Sequence, residues 1–244
     1  MKILEKLVNV LKKAPDKPFT TAIIVAGGSG TRVGTDIPKQ HILLDDKEVI
    51  AHTLLAFEKS NVIDEIVVVC RMGEEALYNS YKDKYSITKL TRSVIGGESR
   101  QESVLAGFEA VSENCKFVAI HDGARCLIHS DDIESVVKEA YKYRCATLAK
   151  KCTDTVKLTD EKGYIKETLD REKLYLVSTP QVFEKSIYLT SAYLAKKDGV
   201  SVTDDNALVE RAGFKIKLVE EKFLNIKITR REDLDLAKAI LKDR

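Results

Sequence analysis

The sequence of 244 residues predicts an α/β fold, with a Rossmann-like, mostly parallel sheet flanked by helices and a projecting β-hairpin arm. Short runs rich in Ile and Val alternate with segments of helical periodicity between residues 22 and 143. Because these runs are continuously apolar, they are typical of strands buried on both faces of a parallel sheet. Ligands of such sheets bind beyond the carboxyl ends of the strands, so polar motifs at those ends are the candidates for function.

Each apolar run and each periodic segment predicts one element. The apolar runs predict strands over Ala22–Ala26, Glu65–Cys70, Arg92–Ile95 and Phe117–Ile120. The periodic segments predict helices over Val49–Lys59, Glu74–Tyr81, Gln101–Val111 and Asp131–Tyr143. The alternation of the two kinds of element is the pattern of repeated β–α–β units, which pair their strands in parallel.

The alternation breaks after Ala146. Two extended segments, Thr147–Leu158 and Tyr164–Leu169, are joined by the polar turn Thr159–Gly163, and this pattern predicts a hairpin arm over about 147–172. A hairpin that projects from an α/β domain offers a contact for a homodimer. No internal repeat or low-complexity run marks a further domain, so residues 19–244 are predicted to form a single domain.

Residues 1–18 predict an N-terminal amphipathic extension. Apolar residues recur at helical spacing among lysines, and Glu5 and Lys6 interrupt the apolar core that a signal peptide needs. Pro15 and Pro18 separate this helix from the first strand. One interpretation is a helix packed on the protein's own surface, and the alternative is a helix that binds a membrane surface or a partner.

The composition is ordinary for a globular protein, with 44% hydrophobic and 32% charged residues. A net charge of +2 argues against a dedicated nucleic-acid binder, so nucleic acid is not an expected partner. The five cysteines are scattered and contain no Cys-x-x-Cys pair, which favours reduced thiols and a cytoplasmic location over a disulfide or zinc framework. No apolar run approaches the roughly 18 residues of a membrane span.

The segment from Ala22 to Gln40 is the most informative part of the chain. A glycine-rich turn at Gly27, Gly28 and Gly30 follows the first strand, and glycine lets backbone N–H groups face a bound anion. Two cations, Arg32 and Lys39, follow. The segment fits neither common phosphate motif, because Lys39 follows Pro38 and Val33 stands where the dinucleotide motif needs glycine. It predicts a triphosphate site, and the alternative is a tight turn with surface charges nearby.

Two further strand ends carry polar motifs. The run from Gly96 to Ser103 opens a helix, where a polar ligand or a simple helix cap would suit the geometry. The run Ile120-His121-Asp122-Gly123-Ala124-Arg125 leaves the next strand, where an Asp can hold Mg²⁺, hold a ribose hydroxyl or cap the turn. We interpret His121 as a structural residue rather than a base.

Three motifs follow the predicted arm. Arg171 offers a fork that suits a phosphate monoester, and Thr179 offers a hydroxyl, although an isolated arginine is most often a solvated charge. Thr203 begins a Thr-Asp-Asp run. Asn225–Thr229 predicts an edge-like strand, and alternation would place its Lys227 on one face with Asn225 and Thr229.

These separate motifs, which stand in a fixed order, closely resemble the signature of nucleotidyltransferases that activate phosphorylated sugars and polyols. The nearest match is the 2-C-methyl-D-erythritol 4-phosphate cytidylyltransferase family, and the resemblance runs from about Phe19 to Leu241. It implies transfer of CMP from CTP to methylerythritol phosphate in isoprenoid precursor synthesis, with release of pyrophosphate. The acceptor phosphate is already anionic, so the reaction needs charge stabilisation rather than a general base.

The resemblance also implies roles for the matching residues. The catalytic cations at the α-phosphate are Arg32, Lys39 and Lys227. The residues implied in binding CTP are Ala26, Gly27, Gly28, Ser29, Gly30, Gly97, Glu98, Arg100, Ser103, Asp122 and Gly123. Those implied in binding the acceptor phosphate are Arg125, Arg171, Thr179 and Thr203, with Arg171 reaching in from the partner of a homodimer whose arms swap. Asp122 is implied as a ligand of Mg²⁺, and Cys126 stands where the family has proline.

Two alternatives accompany this hypothesis. Ribitol 5-phosphate cytidylyltransferases share the loop and the arm, but the Asn225–Thr229 segment and the His121–Arg125 sequence favour methylerythritol phosphate. A non-catalytic nucleotide-binding protein that kept the loop would be expected to have lost cations of the site. Arg32, Lys39 and Lys227 are all present.

Overall fold

The structure is a computed structural model that describes residues 17–28 and 37–242. Within these ranges there are eleven strands and seven α-helices. The strands are β1 (Thr20–Val25), β2 (Leu43–Leu44), β3 (Lys47–Glu48), β4 (Glu65–Cys70), β5 (Leu90–Ile95), β6 (Phe117–Asp122), β7 (Cys145–Lys151), β8 (Lys157–Thr159), β9 (Ile165–Thr168), β10 (Tyr175–Glu184) and β11 (Lys217–Glu220). The helices are α1 (Val49–Lys59), α2 (Glu75–Lys84), α3 (Arg100–Ala110), α4 (Ser130–Tyr143), α5 (Lys185–Lys197), α6 (Asp205–Arg211) and α7 (Arg231–Lys242), and short 3-10 turns lie at Lys39–His41 and Arg171–Lys173.

Seven strands form one central sheet in the order β11-β7-β10-β6-β1-β4-β5. Every pair in this sheet is parallel except the two pairs of β10, which runs antiparallel to β6 and β7. The predicted α/β class with a mostly parallel sheet is confirmed. The strands and helices predicted up to Tyr143 are all present, and their bounds differ from the predicted ones by at most three residues.

The core lies on both faces of this sheet. Ile23 and Ile24 are neighbours on β1 and are both fully buried, but they belong to different hydrophobic clusters on opposite faces. Side chains from α1, α2 and α4 cover the first face, and side chains from α3, α5 and α6 cover the second. This double burial explains why the strands are continuously apolar in the sequence.

The register of the sheet places the ends of the central strands level with each other. Val25, at the end of β1, pairs with Val69 on one side and with Asp122 on the other. The hydrogen bonding between β1 and β4 extends one residue beyond β1, because the N–H of Ala26 donates to the carbonyl of Val69 at 2.7 Å. The turns that leave β1, β4 and β6 therefore meet at one edge of the sheet, where ligands of α/β folds bind.

The hairpin arm is present but starts later than predicted. Its strands β8 and β9 pair antiparallel as a separate two-stranded sheet. Residues 147–151, assigned above to the arm, instead belong to β7 of the central sheet, where Leu148 and Ala149 are fully buried. Extended, apolar sequence is common to a core strand and to the base of a hairpin, which is why the pattern could not separate them.

The strand predicted over Asn225–Thr229 is absent from the described residues, and this prediction was wrong. The N–H of Thr229 donates to the carboxylate of Asp233, and the N–H of Ile228 donates to the carbonyl of Ala124. These bonds replace the regular ladder of a strand. The segment is an irregular connection that precedes α7.

Some predicted features fall outside the described residues. They are Ser29, Gly30, Arg32 and most of the N-terminal extension, of which only residues 17 and 18 are described. Across the two described ranges, no helix is both long enough and apolar enough to cross a membrane.

Candidate active site

A cavity of about 310 Å³ opens at the carboxyl ends of β1 and β6. Residues from distant parts of the sequence line it, and ten of them were predicted as site residues. These ten are Ala26, Gly27, Gly28, Lys39, Gly97, Glu98, Arg100, Ser103, Asp122 and Lys227. The polar motifs at the strand ends, together with the segment before α7, therefore build one site.

The start of α3 forms one wall of the cavity and is closely packed. Ser99 and Glu102 cap the helix reciprocally: the N–H of Glu102 donates to Ser99 Oγ at 3.1 Å, and the N–H of Ser99 donates to Glu102 Oε2 at 2.9 Å. A Cβ at Gly97 would lie 2.4 Å from Glu102 Cβ, so this position needs glycine. The capped helix start is thus present, and it also presents Gly97 and Ser103 to the cavity.

Gly123 supports the cavity from below rather than lining it. Its N–H donates to the carbonyl of Val25 at 2.9 Å, and this bond closes the turn after β6 against β1. A Cβ on this residue would lie 2.6 Å from Ile50 Cδ1 and 3.2 Å from the carbonyl oxygen of Val25, so any larger residue would have to displace these atoms. The side of the cavity beneath Asp122 is therefore fixed by packing against α1.

Asp122, at the end of β6, is the centre of a charged cluster. Its Oδ2 lies 2.9 Å from Lys227 Nζ and 3.5 Å from Arg125 Nε, and its Oδ1 lies 3.8 Å from Arg100 Nε. Burial alone would raise the pKa of Asp122, but the charges of Lys227 and Arg100 outweigh burial and hold the pKa at about 2. Asp122 is therefore ionised at neutral pH, inside a ring of three cations.

Arg100 is held in place by a second carboxylate. Its guanidinium donates to Asp205, a buried residue at the start of α6, and Asp205 also accepts a hydrogen bond of 2.8 Å from Tyr188. Burial raises the pKa of Asp205 despite the charge of Arg100. Asp205 carried only a weak signal in the sequence, because it lies two residues after Thr203 in a motif in which Thr203 was the predicted site residue.

Lys227 and Lys39 are positioned by the same irregular segment. The Asn225 side chain is buried and donates to the carbonyl of Thr179 at 2.8 Å, which fixes one end of the segment to β10. Lys39 Nζ donates to the carbonyl of Ile228 at 2.8 Å. The two predicted catalytic lysines, which are far apart in the sequence, thus meet at one short stretch of backbone.

Besides Gly123, four predicted residues in the described ranges do not line the cavity. Arg125 and Thr179 lie directly behind Asp122: Arg125 donates to the carbonyl of Asn225, and the hydroxyl of Thr179 accepts from the N–H of Asp122 at 3.1 Å. Arg171 is exposed at the base of the arm, where it donates to the carbonyl of Thr153, and Thr203 is exposed before α6.

His121 fits the structural role assigned to it. The ring is fully buried, and its Nδ1 lies 3.0 Å from the hydroxyl of Thr179. Burial lowers the pKa of His121 to about 3, so the ring is neutral at physiological pH. A neutral, buried ring that does not line the cavity is not placed to take a proton from a substrate there.

Gln40 and Arg71 are further polar residues at the site that were not predicted. The Gln40 side chain is buried and donates to the carbonyl of Ala26 at 2.8 Å, which connects the two ends of the glycine-rich segment. Arg71 donates to the carbonyls of Gly27 and Gly28. Gln40 was visible as the last residue of the Pro-Lys-Gln run, and Arg71 immediately follows the carboxyl end of β4, an edge where functional residues were expected.

A glycine-rich turn beside clustered cations, at the carboxyl edge of a mostly parallel sheet, defines the site class of a nucleotidyltransferase. The family model of 2-C-methyl-D-erythritol 4-phosphate cytidylyltransferase, IspD, matches residues 20–243. The chain belongs to this family, as the resemblance in the sequence predicted.

Individual relatives agree with the family match. The 2-C-methyl-D-erythritol 4-phosphate cytidylyltransferase of Desulforamulus reducens is 42% identical over 224 residues, which cover 91% of this chain and 96% of the relative. The enzyme of the same name from Clostridium novyi is also 42% identical, with the same coverage.

Solved structures are similar as well. The 4-diphosphocytidyl-2C-methyl-D-erythritol synthase of Anaerococcus prevotii superposes with a TM-score of 0.83 at 30% identity, covering 93% of this chain and 100% of that one. The 2-C-methyl-D-erythritol 4-phosphate cytidylyltransferase of Thermus thermophilus gives a TM-score of 0.73 at 25% identity, covering 90% of this chain and 98% of that one.

Proposed function

We propose that this enzyme transfers CMP from CTP to 2-C-methyl-D-erythritol 4-phosphate, giving 4-diphosphocytidyl-2-C-methyl-D-erythritol and pyrophosphate. The observation that carries the proposal is the meeting of Lys39, Lys227 and the glycine-rich turn in one cavity of a chain that belongs to this family. The five buried, free cysteines are in keeping with a reducing cytoplasm.

The proposed reaction requires neutralisation of negative charge more than it requires proton transfer. A phosphate oxygen of the acceptor attacks the α-phosphorus of CTP, and the bond to the β-phosphate oxygen breaks to release pyrophosphate. Both reactants are polyanions, so cations that face the α-phosphate lower the barrier by stabilising charge in the transition state. Lys39 and Lys227 are the described candidates for this role, and we add Arg32 from its place in the sequence.

The two walls of the cavity suit the two ends of the nucleotide. We propose that the turn of Ala26, Gly27 and Gly28, with Ser29 and Gly30, surrounds the phosphates. We propose that the opposite wall holds the cytosine and the ribose, and its residues are Gly97, Glu98, Arg100 and Ser103. Gly123 supports this arrangement through its bond to Val25.

Asp122 fits a site for Mg²⁺ that is shared with the nucleotide. Mg²⁺ is commonly held by one or two carboxylates together with substrate phosphates. Asp122 is an ionised carboxylate in the cavity, and the described residues contain no cluster of three His, Cys, Asp or Glu that would hold a metal without substrate. When bound, the ion would neutralise phosphate charge and orient the triphosphate.

We propose Arg125, Arg171, Thr179 and Thr203 as the residues that bind the acceptor phosphate. Arg171 does not line the cavity of its own chain, so its assignment requires a second copy. Exposed apolar side chains support such a homodimer, because Tyr164 and Ile165 of the arm are 71% and 65% exposed. In the dimer the arm of one copy would carry Arg171 to the site of the other.

Mixed dimers test this arrangement. A preparation of Arg171→Ala alone and one of Lys227→Ala alone should both be nearly inactive. Random mixing of the two chains should restore about a quarter of the wild-type activity, because half of the dimers then contain one intact site. The measurement is pyrophosphate release after the two variants have been unfolded and refolded together. Dimers that form without recovering activity would place Arg171 in the site of its own chain.

Pyrophosphate release with CTP and each purified acceptor tests the proposed reaction. We expect turnover with methylerythritol phosphate and little with ribitol 5-phosphate. Turnover with ribitol 5-phosphate alone would reassign the substrate. Binding of CTP without turnover on either acceptor would favour a non-catalytic nucleotide-binding protein.

A further inference from the structure

Arg71 makes a contact with the glycine-rich turn that the proposed reaction does not yet use. It follows β4 directly, and its side chain crosses to the turn after β1. Nε donates to the carbonyl of Gly27 at 3.3 Å, and one terminal nitrogen donates to the carbonyl of Gly28 at 2.5 Å. One planar guanidinium therefore binds two successive carbonyl oxygens. The donors of an arginine form a rigid fork, and this geometry suits such a pair of acceptors.

These two bonds set the direction of the turn's peptide groups. In a trans peptide the C=O and the N–H point in opposite directions. When the carbonyl of Gly27 faces Arg71, the N–H of Gly28, which belongs to the same peptide unit, faces away from Arg71. Among the described residues, no atom lies within 4 Å of where a Cβ of Gly28 would lie, so little packing from them holds this turn on that side.

Arg71 is itself held by the neighbouring turn. Its N–H donates to Glu74 Oε2 at 3.3 Å, and Glu74 Oε1 lies 3.4 Å from Nε2 of His41. His41 ends the 3-10 turn that also contains Lys39 and Gln40. The turn that follows β4 thus connects Gly27 and Gly28, at one end of the glycine-rich segment, with His41, just beyond its other end.

We propose that Arg71 is a positioning residue for the triphosphate of the nucleotide. By holding the carbonyls of Gly27 and Gly28, it keeps the N–H groups of the turn free for phosphate oxygens, and its own charge remains near the polyphosphate. This role rests on the proposed function, because it assumes that the glycine-rich turn binds nucleotide phosphates.

Direct binding of nucleotides tests this role without relying on turnover. Calorimetric titration of Arg71→Ala with CTP and Mg²⁺ should show a dissociation constant about tenfold higher than that of the unchanged protein. The dissociation constant for CMP should change less than about twofold, because CMP lacks the β- and γ-phosphates. Arg71→Lys, which keeps a donor and the charge, should recover part of the lost affinity for CTP.

Arg211→Ala is the matched control, because Arg211 is exposed, pairs with Asp198 and does not line the cavity. It should bind CTP and CMP as the unchanged protein does. Unaltered CTP affinity in Arg71→Ala would overturn the proposal, and so would an equal loss for CTP and CMP, which indicates general damage. Failure of the unchanged protein to bind CTP would instead overturn the nucleotide site. CTP binding without turnover would overturn only the proposed reaction.

Discussion

Replacement of Lys227 by alanine is expected to lower kcat for cytidylyl transfer by about 10²–10³-fold, with a much smaller change in KM for CTP. Lys227 Nζ lies 2.9 Å from Asp122 at the end of β6 and faces the cavity in which the α-phosphate would react. A cation that acts on charge formed only in the transition state contributes to kcat more than to ground-state binding. Steady-state kinetics of pyrophosphate release measures both constants.

The fold should tolerate this change. The Lys227 side chain is 39% exposed, and Asp122 keeps Arg100 and Arg125 as neighbours after the substitution. Lys222→Ala is the matched control, because Lys222 is an exposed lysine of the same connection between β11 and α7 and does not line the cavity. A Lys227→Ala enzyme that melts normally and turns over at the wild-type rate would contradict the catalytic assignment.

Asp122→Asn is expected to lower kcat by about 10²-fold and to raise the Mg²⁺ concentration that gives half-maximal rate by about tenfold. Asparagine keeps the shape of the side chain but removes the charge shared by Lys227, Arg100 and Arg125. Without that charge the three cations repel one another, and the proposed metal loses its protein ligand. Initial rates measured across a Mg²⁺ titration give both values.

The matched control is Asp131→Asn, because Asp131 is an exposed aspartate in the first turn of α4 and does not line the cavity. It should leave both values unchanged. A lower kcat in Asp122→Asn with an unaltered Mg²⁺ dependence would leave Asp122 as an organiser of cations and remove it as a metal ligand. Wild-type values for both quantities would contradict both roles.

The sequence predicted those features of the fold and the site that leave a pattern among neighbouring residues. The parallel strands were found because β4, for example, is buried along all six of its residues, and five of these six are apolar. The glycines at 96 and 97 were found because close approach to Ser103 and Glu102 excludes a Cβ. In both cases the residues that carry the signal are adjacent, or nearly adjacent, in the chain.

The features that were missed depend on distant partners. The backbone of Asn225–Thr229 bonds to Ala124 and Asp233 rather than to a strand, and an alternating pattern is the same in either case. Strand β10 was not predicted, because it contains Pro180 and a proline within a segment argues against a strand. In the structure this proline lies where the register with β7 shifts between Val177 and Gln181, so no regular ladder bond is lost there.

Lys227 lies late in the sequence, after the last described strand of the central sheet. The strands of the sheet are therefore synthesised before the site has all its residues. Every described strand of the central sheet has been made by Glu220, at the end of β11, whereas Lys227 follows seven residues later. During synthesis, the glycine-rich turn and Asp122 emerge well before Lys227, one of the three cations around Asp122. A nascent chain can thus carry a complete sheet and still lack part of its proposed catalytic charge until the segment around Asn225 docks on β10.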